Sequence, residues 1–68
     1  MIVDGKLLMW AFDAVKRALS DLGLEPYSEE FAHLRRALQR TLAAMVVKSN
    51  YTREAAEFEM RSGLGLPR

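Results

Sequence analysis

The chain has 68 residues, half of them apolar and 28% charged, with two prolines and no cysteine, which is the composition of one folded domain and excludes two domains, a disordered chain, disulfide staples and thiolate metal sites. No apolar run is longer than the one from Leu7 to Phe12, which is far shorter than the roughly 20 residues that cross a bilayer. The opening Met1-Ile2-Val3-Asp4 has no basic region ahead of an apolar one, so a cytoplasmic protein with no membrane partner is expected.

In the first segment, Leu8, Phe12, Val15, Leu19 and Leu22 recur at alternating spacings of four and three, which predicts a helix over about 5–22 with this heptad seam as its core face. Asp4 is placed to cap its start. Gly23, followed by Leu24 and Pro26, marks its end. Asp21, Glu25, Glu29 and Glu30 then crowd the connection, and no acidic residue occurs between Phe31 and Arg53.

Ser28 predicts the cap of a second helix, about 28–48, with Glu29 and Glu30 in the first turn and Lys48 in the last, each where the helix dipole favours its charge. Its core face reads Phe31, Leu34, Leu38, Leu42 and Met45. Thr52 predicts the cap of a short third helix, about 52–62, with Ala55, Phe58 and Met60 as its apolar residues and Gly63 as its stop. The expected fold is therefore all-α, an antiparallel helical hairpin with the third helix folded across one end, forming a single domain over 1–62 with a loose tail over 63–68.

A second apolar stripe lies beside the seam of the first helix: Leu7, Ala11, Ala14 and Ala18, with Trp10 adding bulk. One hairpin partner covers one face, so this stripe is expected to form the interface of a homodimer, giving a helical bundle, with the third helix as the competing cover.

Catalysis finds little support in the residues. Ser20, Ser28, Ser49 and Thr52 sit where capping or a polar face explains them, and Glu54, Glu57 and Glu59 are too close in sequence to form an acid and base pair across a cleft. His33 is the single histidine, with only Glu29 and Glu30 near it, so neither a metal site nor a cofactor is expected. Gly63-Leu64-Gly65 precedes no helix and does not form a phosphate loop.

The expected function is that of a small non-enzymatic regulator, adaptor or inhibitor that binds another protein. Trp10, about 140° from the seam, is its candidate anchor, with Met9, Asp13 and Arg17 around it; the competing reading is burial of Trp10 against the third helix or a second protomer. The alternative is binding to an RNA or DNA backbone through Arg35, Arg36 and Arg40 on the second helix, although a net charge of +1 falls short of a strongly basic footprint. Thr52-Arg53-Glu54-Ala55-Ala56-Glu57-Phe58 resembles the opening helix of helix-turn-helix regulators. That resemblance implies a further recognition helix, and the five residues after Gly63, Pro67 among them, cannot supply one.

Overall fold

A computed structural model of the chain describes residues 4–67; the first three residues of the expected domain and the last of the expected tail lie outside that range. Three helices account for most of it: α1 (Gly5–Asp21), α2 (Glu29–Lys48) and α3 (Arg53–Gly63). Among the described residues there is no strand, and no helix is long and apolar enough to cross a membrane.

Local chemistry sets the helix ends. The Asp4 carboxylate accepts from the Lys6 amide at 2.9 Å, Ser28 Oγ from the Phe31 amide at 3.1 Å and Thr52 Oγ1 from the Ala55 amide at 3.1 Å, each satisfying a backbone donor with no partner inside its helix. At the end of α1 the Gly23 amide donates to the Ser20 carbonyl and the Leu24 amide to the Leu19 carbonyl, with Gly23 at φ 87°. This is a Schellman cap, and Leu24 folds back onto the core as its spacing predicts.

The same motif closes α3, but one step later than expected. Gly65, at φ 79°, donates to Ser62 and Leu66 donates to Arg61, so Gly65 takes the left-handed position while Gly63 is the last helical residue. Leu64 and Leu66 pack on the core, so this part of the expected loose tail is a folded cap.

α1 packs against α2, and the pairings advance along α1 as they recede along α2: Leu8 meets Gln39, and Phe12 meets Arg35. Against α3 they advance together, with Trp10 beside Arg53, Arg17 beside Glu57 and Asp21 beside Arg61. The third helix therefore runs lengthwise beside α1, with its main packing against α2, instead of crossing one end.

This placement turns the inner face of α1 from the expected seam toward the alanine stripe, about 90° around the helix. Ala11, Ala14 and Ala18 have no exposure and Leu7 has 5%, whereas Leu8 and Phe12 of the expected seam are 38% and 36% exposed. Only Val15 and Leu19 of that seam are fully buried, and Leu22 is exposed. An α1 that touches two helices buries the side lying between them, where alanines allow close approach and larger side chains are displaced to the flank. The stripe Leu7, Ala11, Ala14 and Ala18, expected at a dimer interface, is thus core within one chain and is closed to a second.

On α2, Phe31, Leu42 and Ala43 are buried while Leu34, Leu38 and Met45 pack half-buried around them. On α3 the buried residues are Ala56 and Met60; Ala55 and Phe58, expected inward, are exposed. Leu19, Leu42 and Val15 are the largest fully buried side chains, each contributing roughly 1.5–3 kcal/mol by leaving water.

Candidate functional site

This rotation leaves an apolar row on the outside of the α1 and α2 pair. Leu8, Met9 and Phe12 line a cleft of about 390 Å³ with Asp13 and Gln39, and Met9 is 71% exposed. Phe12 also lines an adjoining cleft of about 460 Å³, whose walls are Phe31, Ala32, Pro26 and Tyr27 on the apolar side and Lys16, Ser20 and Arg35 on the polar side. The two clefts share Phe12 as their common wall.

The polar groups here are held in a chain. The Gln39 amide nitrogen donates to the Leu8 carbonyl at 3.0 Å, its oxygen accepts from Arg35 Nη1 at 2.6 Å, and the Arg35 guanidinium lies 4.7 Å from the centre of the Phe12 ring. Gln39 therefore fixes the guanidinium over the ring, while Lys16 Nζ, 5.7 Å from the same centre, supplies a second cation. The ion pairs among the described residues are Arg17–Glu57 and Asp21–Arg61, both between α1 and α3, so neither Lys16 nor Arg35 has a carboxylate partner.

The residues expected to bind protein are split by this geometry. Met9 and Asp13 line the first cleft. Trp10 and Arg17 face α3: Trp10 is half-buried on the core with the Arg53 guanidinium 5.5 Å from its ring centre, and Arg17 lies 4.0 Å from Glu57. The three arginines expected to meet nucleic acid divide as well, since Arg35 is taken up by Phe12 and Gln39 while Arg36 and Arg40 stay exposed on α2. His33 is exposed in a cleft shared with Glu29, Glu30 and Arg36.

Sequence reasoning assigned Leu8 and Phe12 to the core and gave no role to Lys16, Gln39 or Tyr27. One signal was present: of two parallel heptad stripes on one helix, the stripe of alanines suits the closest helix contact, which assigns the bulky one to the flank. Comparison with protein-family models, with curated proteins and with solved structures finds no match.

Proposed function

We propose that this chain is a small non-enzymatic regulator or adaptor that binds another protein through the outer side of α1 and α2. The observation that carries the reading is the row Leu8, Met9 and Phe12, an apolar surface left in water on rigid helices and bordered by positioned polar groups. Apolar surface with an arginine and aromatic rings at its edge has the composition of binding hot spots.

The test is affinity capture from extracts of the cells that make the protein, comparing the native chain with Leu8→Ser/Phe12→Ser. Retention of one protein by the native chain, its loss with the double variant and its persistence after nuclease treatment support the reading. Retention that ignores the two substitutions overturns it.

A second reading is contact with a nucleic-acid backbone by Arg36 and Arg40, favoured by their exposure without a carboxylate partner among the described residues. Phosphate contacts release counterions, so this mode loses affinity steeply as salt rises. Capture that disappears with nuclease or with Arg36→Glu/Arg40→Glu selects it over protein binding.

A further inference from the structure

We infer that the partner segment is an acidic amphipathic helix, whose apolar side chains seat on Leu8, Met9 and Phe12 and whose carboxylates reach Lys16 and Arg35; the inference rests on the protein-binding reading above. The argument is one of charge complementarity. The cleft beside Phe12 presents two cations without an ion-pair partner among the described residues, over walls made by Phe31, Ala32, Pro26 and Tyr27. Phe12 sits between these cations and the Leu8 and Met9 row, so a ligand spanning both clefts must be apolar along one stretch and anionic along the next.

Arg35 is also prepared for this contact. Its position is fixed by Phe12 and by Gln39, and Gln39 is itself tied to the Leu8 carbonyl, so a carboxylate meets a guanidinium already ordered. Preorganisation lowers the ordering cost that weakens surface ion pairs. A helix offers residues at i, i+4 and i+7 on one side, which suits a straight row running along α1.

Other occupants fit less well. A single-stranded nucleic acid would use Phe12 and Tyr27 as stacking surfaces, but Leu8 and Met9 offer nothing to phosphates. A second copy of this chain would bring carboxylates to this cleft only through a different face, such as the one carrying Glu54 on α3. Leu8 and Phe12 lie about 180° around α1 from Trp10, Arg17 and Asp21, which face α3, so such a contact joins two different faces and is not a symmetric pairing.

The experiment titrates the isotopically labelled full chain with two synthetic helical peptides that share their leucine and phenylalanine positions and differ only in flanking glutamates or lysines. A short single-stranded oligonucleotide serves as a third ligand. The glutamate peptide is expected to shift the amide signals of Leu8, Phe12, Lys16, Arg35 and Gln39 and to bind at least about tenfold more tightly than the lysine peptide. Lys16→Glu/Arg35→Glu is expected to invert that order.

Lys16→Glu alone, at an exposed position, provides the same test if the double variant loses its helical circular dichroism. Equal affinities, no binding by either peptide, shifts confined to another face, or occupation of this cleft by the oligonucleotide each overturn the inference. Capture of a protein in a Phe12-dependent manner alongside equal peptide affinities removes the acidic chemistry while leaving the protein-binding reading in place.

Discussion

The Arg53 guanidinium, in the first turn of α3, lies 5.5 Å from the centre of the Trp10 ring on α1. This contact joins the first turn of the last helix to the first helix, and because Trp10 is the single tryptophan its emission reports on the joint. Blue-shifted emission with partial protection from acrylamide is expected, and Trp10→Ala should cost about 1–3 kcal/mol, less than for a fully buried aromatic. Arg53→Ala should increase quenching with little change in melting temperature. Red-shifted, freely quenched emission from the native chain would show that α3 does not lie on this side.

Ala11→Glu and Ala18→Glu are expected to unfold the chain instead of dissociating a dimer, since neither alanine has exposed surface within one chain. A carboxylate there is buried without a partner, at a cost of several kcal/mol against the small stability of a 68-residue domain. Circular dichroism at two concentrations tenfold apart checks this. Variants that keep native helicity while halving in mass would place the stripe at a dimer interface after all.

Arg36→Glu/Arg40→Glu should leave the melting temperature nearly unchanged, because both side chains project from the exposed side of α2 and each change costs under about 0.5 kcal/mol. Arg35→Glu should cost more. It removes the guanidinium from the Phe12 ring and leaves the Gln39 oxygen without its donor. Thermal melts of the two variants side by side test whether the three neighbouring arginines differ as their surroundings do.

The two glycines near the end of α3 should respond in opposite directions to alanine. Gly65 has a left-handed backbone that strains any residue with a Cβ, so Gly65→Ala is expected to destabilise by about 1 kcal/mol. Gly63 is helical with open space around it, so Gly63→Ala should stabilise by up to about 1 kcal/mol. Chemical denaturation of both variants decides the matter; the reverse order would put the left-handed cap position at Gly63.

Arg61 and Asp21 tie the last turns of α3 and α1 together. Arg61 is one-fifth exposed and Asp21 about half, so the pair is partly screened, and Arg61→Ala is expected to cost about 0.5–1 kcal/mol at low salt. Added salt should reduce the difference between the variant and the native chain. A loss that does not change with salt would mean that the arginine stem contributes through packing and the charge does not.

What the sequence determined by itself is where the helices begin and what kind of fold they build. Asp4, Ser28 and Thr52 cap three helices, and Gly23 ends the first, because each acts through backbone groups two to five residues away and needs no other part of the chain. The choice between Gly63 and Gly65 was not local in the same way, since Leu64 and Leu66 draw one further turn of chain onto the core. Nor could periodicity decide which of two heptad stripes on α1 faces inward. Leu8-Phe12 and Leu7-Ala11-Ala14-Ala18 repeat with the same spacing, and the selection came from the way α2 and α3 together lie on α1, which made the buried side the one between two neighbours. That single tertiary choice buried the expected interface and exposed Leu8 and Phe12. It also placed Arg35 and Gln39, distant in sequence, beside them, because the alanines at 11, 14 and 18 let the neighbouring helices close over that side of α1 and leave Leu8 and Phe12 at its flank.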